Sequence, residues 1–254
     1  MTPTTLTLTH PAKCDATADR SLRVAVLLTA SGGFLDAFTY VGHGRIFVNV
    51  MSGNVVFLAY SLVSAHWSVA LHVLPPILAF LLGVFVAQLA QKPILHRLVY
   101  SPVLNWLALE ILVLAVVSVL PPSFPDMLLV PCIALVAAIQ SSSFNRVECW
   151  TYNSAMTTGN LTRFVESLYS GLILKRDPEA LHQARVFALI CLSFFAGGII
   201  GAYATSWLHN LALWLPIVAL GAALCLCWSP STSDTNGNGR LIVRVEQNHA
   251  TSSS

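Results

Sequence analysis

Six stretches of this chain, 22–41, 69–90, 103–120, 127–144, 185–208 and 211–228, are apolar and almost free of charge. Each is close to the roughly 20 helical residues needed to cross about 30 Å of hydrocarbon. Such runs cannot all be hidden inside a domain of 254 residues in which 56% are hydrophobic and only 9% charged. An ordinary soluble domain carries about 25% charged residues. A water-soluble globule and general disorder are therefore excluded, and the chain reads as an all-α polytopic membrane protein. The formal net charge is +2, and the Lys and Arg residues lie between apolar runs rather than in one patch, so no nucleic-acid partner is expected.

The ends are different. Residues 1–21 form a polar, Thr-rich tail and 229–254 a Ser/Thr/Asn/Gly-rich one, both expected to be disordered. Residues 24–30, preceded by Arg20 and Arg23, resemble a signal-peptide core, but the apolar run continues to Val41, so an uncleaved first span is expected. Four of the six cysteines (Cys132, Cys191, Cys225 and Cys227) sit within apolar runs, where Cys behaves as a small hydrophobe. Neither a metal site nor a disulfide is expected, and no cofactor motif is present.

Two further segments, 52–64 and 158–174, look helical but are too short to span. The second carries Arg163 and Glu166 on one face, where an ion pair is expected. Both segments begin with the same signature, Ser52-Gly53-Asn54 and Thr158-Gly159-Asn160, and both belong to an internal repeat. VMSGNVVFLAYSLVS (50–64) matches MTTGNLTRFVESLYS 106 positions on. LAFLLGVFVAQLA (78–90) matches LSFFAGGIIGAYA 114 positions on, and Asp36 corresponds to Gln140. The repeats are 22–120 and 121–228, each reading long span, short Gly-Asn helix, long span, long span.

Basic residues choose the orientation. Lys13, Arg20, Arg23, Lys92, Arg97, Lys175, Arg176, Arg240 and Arg244 all fall in the cytoplasm only if each short helix enters and leaves on one side. The expectation is therefore six transmembrane helices plus two re-entrant half-helices, built as an inverted repeat, in the cell inner membrane with both termini cytoplasmic. Half-helices of this kind aim their N-termini, with free N–H groups and partial positive charge, toward the bilayer midplane. Ser52 and Thr158 are placed to cap the first turns, Gly53 and Gly159 to let backbone approach closely, and Asn54 and Asn160 to offer a donor and an acceptor each. The alternative use of these tripeptides is as caps on tight turns alone.

Asp36, within GGFLDAF, is an intramembrane acid and by default a functional one; a packing acid held by backbone donors is its other reading. Glu110 is a second such acid, expected to snorkel or to pair. Gly83-x-x-x-Ala87 and Gly197-x-x-x-Gly201 fit close helix packing, and His43, His66, His72 and His209 read as surface histidines.

At these residues the chain resembles the YoaK-like family of bacterial integral membrane proteins, whose function is unassigned. Asp36-Ala37, Phe47, Gly53-Asn54, Gln140, Thr158-Gly159 and Leu161-Thr162 match the family pattern over residues 22–228. Ser52 replaces the family Thr, and Ser141 stands where Asn is usual. The resemblance implies a multi-spanning inner-membrane protein and supplies no substrate.

The first functional expectation is a secondary transporter or channel-like carrier for a small polar or anionic solute. Asp36, Ser52, Gly53, Asn54, Gln140, Thr158, Gly159 and Asn160 would line its site. The alternative is a non-transporting membrane scaffold or accessory subunit. An enzyme is not expected, since Ser52 and Ser154 have no identifiable base. Beyond the lipid bilayer and an unidentified solute, no partner or oligomeric state can be read.

Overall fold

The computed structural model describes residues 21–90, 102–121, 123–155, 157–174 and 177–228. Both tails, the segment with Lys92 and Arg97, and the pair Lys175-Arg176 lie outside the described residues.

Among the described residues eight α-helices follow one another: α1 (Leu22–Gly42), α2 (Met51–Val63), α3 (Trp67–Ala90), α4 (Pro102–Ser118), α5 (Asp126–Ser143), α6 (Thr157–Tyr169), α7 (Pro178–Leu208) and α8 (Trp214–Trp228). Four stretches among the described residues, Leu22–Gly42, Trp67–Ala90, Asp126–Ser143 and Pro178–Trp228, are long and apolar enough to cross a membrane. The last is broken by a 3-10 turn, His209–Leu213, so it contains two helices. The chain is a helical, multi-pass membrane protein.

Local sequence accounts for the starts of two helices. Ser21 accepts the N–H of Val24 (3.3 Å) and starts α1. Asp177 accepts the N–H of Glu179 (3.0 Å), and Pro178 occupies the first helical position of α7. That start lies seven residues before the expected span at Arg185, because a capped, acidic first turn is a good helix beginning even outside the apolar run. Helix α4 rises only about 25 Å, short of a full crossing. Helix α6 ends at Tyr169 and continues as a single π-helical turn, Ser170–Leu174, rather than as one α-helix to Leu174. A two-stranded ribbon, β1 (Arg146–Val147) with β2 (Trp150–Thr151), occupies the connection before α6, where no strand was expected.

Burial sorts the helices into inner and outer. Along its best apolar window α1 is 67% buried and α5 is 56%, against 22% for α3. The outer helices present Leu81, Phe85, Phe195, Ile199 and Tyr203 outward, surface that acyl chains can cover and water cannot. Helix α1 packs chiefly on α7, and α5 chiefly on α3; α1 also packs on α8, and α5 on α4. The short helices lie along their successors, α2 on α3 and α6 on α7.

Glycine makes the two main crossings close. A Cβ on Gly197 would collide with the Ala30 carbonyl and one on Gly33 with the Phe194 carbonyl, both across the α1–α7 contact. On Gly83 it would lie 2.5 Å from the Leu135 carbonyl, across α3–α5. Gly83 and Gly197 are equivalent positions in the matched segments. Without a hydrophobic drive between helices in lipid, such backbone-to-backbone packing supplies the attraction.

Two expectations about single residues are corrected here. Cys149 is disulfide-bonded, which overturns the expectation that no disulfide forms. His43 is buried rather than superficial, because its Nδ1 lies 2.7 Å from Asp126 Oδ1 and ties the end of α1 to the start of α5.

Candidate functional site

The chain between α1 and α2 turns through two left-handed residues, Gly44 and Arg45, and then runs irregularly to Val50. Its backbone polar groups must find partners, since burial removes water. Asn54 supplies them: its Nδ2 donates to the Phe47 carbonyl (2.6 Å), and its Oδ1 accepts the Phe47 N–H (3.0 Å). The second half repeats the device. Asn160 Nδ2 donates to the Asn153 carbonyl (2.7 Å), and its Oδ1 accepts the Asn153 N–H (3.3 Å). Both asparagines are buried, and each clips the residue seven positions before it. A buried amide satisfied in this way is worth about 1 kcal/mol net, whereas removing it strands two backbone groups at about 1–3 kcal/mol each.

Asp36 holds the same loop from α1. Its Oδ1 accepts the N–H groups of Val48 (2.9 Å) and Asn49 (2.8 Å), while Oδ2 is buried without a partner. Asn49 in turn donates from Nδ2 to the Gly32 carbonyl (3.2 Å). The second-half loop touches the same glycine: a Cβ on Gly32 would lie 3.0 Å from the Ser154 carbonyl. Gly32 thus brings the two loops together across α1. Gln140 is buried at the end of α5, with its Nε2 unpartnered.

Where the loops meet, a cavity of about 280 Å³ separates the starts of α2 and α6. One side is formed by Asn49, Val50, Met51 and Ser52, the other by Ala155, Thr157 and Thr158, and Phe80 and Phe194 close it. The two sides correspond position by position in the repeat, 49 with 155, 51 with 157, 52 with 158 and 80 with 194. The lining offers the hydroxyls of Ser52, Thr157 and Thr158, whereas on the α2 side the N–H groups of Met51 and Gly53 are already taken by the carbonyls of Asn49 (2.9 Å) and Val50 (3.1 Å). Val50 is the N-cap residue of α2 and makes no side-chain bond to it. The Oγ1 of Thr157 is buried and unpartnered.

Of the residues expected at the site, Ser52 and Thr158 line the cavity. Neither is at a cap position, since each is the second residue of its helix. Among the described residues, Asp36, Asn54 and Asn160 stand behind the lining and hold the loops. Gly53 faces the Phe47 ring (3.2 Å to an added Cβ), whereas Gly159 has open space there and is not a point of close approach. The phenylalanine pair was missed, although Phe80 and Phe194 occupy the same place in the matched segments and so carried a signal.

Other polar groups fall elsewhere. Glu110 is fully buried in α4 on the stripe Leu107–Leu114–Val117, with both carboxyl oxygens unpartnered; it neither snorkels nor pairs. The Arg163 guanidinium lies over the Phe187 ring (5.9 Å) instead of against Glu166. His182 Nε2 meets Glu148 Oε2 at 2.9 Å beside the ribbon. Among the described residues, no group of three or more His, Cys, Asp or Glu is arranged to hold a metal ion.

Comparison with known proteins gives a consistent picture. The family described as "Protein of unknown function (DUF1275)" matches residues 24–226. The chain is similar to the UPF0700 transmembrane protein YoaK of Bacillus subtilis (strain 168), at 26% identity over 200 residues, 76% of this chain and 88% of that protein. No solved structure matches the chain.

Proposed function

Because this chain belongs to the DUF1275 family, whose description assigns no activity, its role has to be read from its own geometry; we propose that it is a secondary transporter or channel-like carrier for a small polar or anionic solute, bound between α2 and α6. The observation that carries this reading is the cavity, whose two sides are equivalent positions of an internal repeat at the starts of two short helices and whose polar lining includes the hydroxyls of Ser52, Thr157 and Thr158.

The repeat is taken as inverted, with six crossings, two re-entrant half-helices and both termini on the cytoplasmic side of the inner membrane. The exchange of packing partners fits two halves related by a two-fold, as an inverted repeat requires: α1 on α7 answers α5 on α3, and α1 on α8 answers α5 on α4. Depth supports it too. From Trp67 to Phe80 along α3 is about 20 Å, and from Val186, where the apolar part of α7 begins, to Phe194 is about 12 Å. Two half-helices descending from opposite faces by these distances meet after about 32 Å, close to the hydrocarbon thickness. Ser52, Thr157 and Thr158 are then the solute contacts, and Asp36, Asn54 and Asn160 are positioning residues.

Flux of small anions and neutral polar solutes into liposomes carrying the purified protein tests this. Thr158→Trp and Ser52→Trp each place an indole at the cavity lining, so both abolish flux while leaving folded protein in the membrane. Normal flux in both variants contradicts the assignment. The scaffold reading draws on the same loops, since Asp36 and both asparagines use their polar atoms on backbone. It predicts that no solute raises the melting temperature, whereas a site that binds the native state must do so.

A further inference from the structure

The two short helices are equivalent in the repeat and unlike in chemistry. Along α2 the outward line that begins at Ser52 in the cavity continues through Val56 (66% exposed) and Tyr60 (65% exposed). Along α6 the equivalent line begins at Thr158, also in the cavity, and continues through the exposed Thr162 and Glu166, with Arg163 beside them. The four-residue spacing places each set on one helical face. An apolar face suits lipid, whereas exposed hydroxyls and charges at membrane depth demand water or a polar partner. Arg163 rests on an aromatic ring with its charge unopposed by Glu166, the arrangement of a solvated cation rather than of a buried ion pair. The depths differ in the same sense, since the cavity lies about 12 Å from the face at which α6 enters and about 20 Å from the other.

Resting on the transport reading above, we propose that the face of α6 formed by Thr158, Thr162, Arg163 and Glu166 is the water-filled approach to the cavity, so that in this conformation the site loads from the side at which α6 enters. The α2 side is closed by its own apolar line of Val56 and Tyr60. In the inverted topology the open side is cytoplasmic.

Single cysteines at 158, 162 and 166, and at 52, 56 and 60, are introduced into the full chain in membranes open to reagent on both faces. Their modification by a charged methanethiosulfonate is timed above the background of the parent protein. All the outer positions are exposed, so these substitutions leave the packed interior intact. Thr162→Cys and Glu166→Cys react about tenfold or more faster than Val56→Cys and Tyr60→Cys, as expected for thiols in water against thiols in lipid. Thr158→Cys reacts faster than Ser52→Cys. Equal rates on the two helices, or slow reaction at both 162 and 166, overturn the proposal. Because no flux is read, this outcome is separable from the transport assignment: a sealed α6 face with flux still blocked by Thr158→Trp removes the route and leaves the site.

Discussion

Asp36 shows how an intramembrane acid can be taken up in holding a loop beside a cavity. Its Oδ1 takes two backbone N–H groups of the first loop, and an asparagine keeps that acceptor. Asp36→Asn should therefore melt within about 1 kcal/mol of the parent, whereas Asp36→Leu strands both N–H groups and should lose about 2–5 kcal/mol, measured by thermal denaturation in detergent. Asn54→Ala and Asn160→Ala should each cost about 2–6 kcal/mol by the same measurement, and by similar amounts, because each strands the N–H and the carbonyl of one loop residue. Residue types and repeat positions singled out these side chains in the sequence. Their bonding partners were hidden, since a loop of irregular backbone gives no periodic signal from which to infer that residue 54 closes on residue 47. His43 was misplaced for a related reason: Asp126 is 83 positions away, and nothing local points to it.

Among the helices, the small-residue stripes separate structural from permissive glycines. Gly197→Ala should weaken the α1–α7 crossing by about 1–3 kcal/mol, because a carbonyl rather than a mobile side chain stands where the methyl would go. Gly159→Ala should be neutral or stabilise by up to about 1 kcal/mol, since it adds helix propensity in open space. A pair of melting curves decides this. The spacing of small residues made the first role legible in the sequence, but it could not distinguish Gly53, which faces an aromatic ring, from Gly159, which faces nothing. Helix ends were legible to the extent that caps are local. The early start of α7 at a capping Asp177 and a following Pro178 was available in the sequence, but it lies outside the apolar run from which the span was read.

At the scale of the whole molecule, long apolar runs gave the class and the internal match gave the two halves, because both are properties of sequence order. The cavity is a property of assembly: it exists only where α2 and α6, 106 positions apart, start against each other. Its aromatic walls belong to two different outer helices. The central claim is that these two starts face each other because their helices enter from opposite faces of the bilayer. The direct test is the sidedness of the turns at which α2 and α6 leave, read by labelling His66→Cys and Glu179→Cys with an impermeant maleimide in intact and permeabilised cells. The account predicts that residue 66 reacts in intact cells and that residue 179 reacts only after permeabilisation. Reaction of both from the same side would contradict it, since the helices would then enter together and no opposed pair of helix starts would exist.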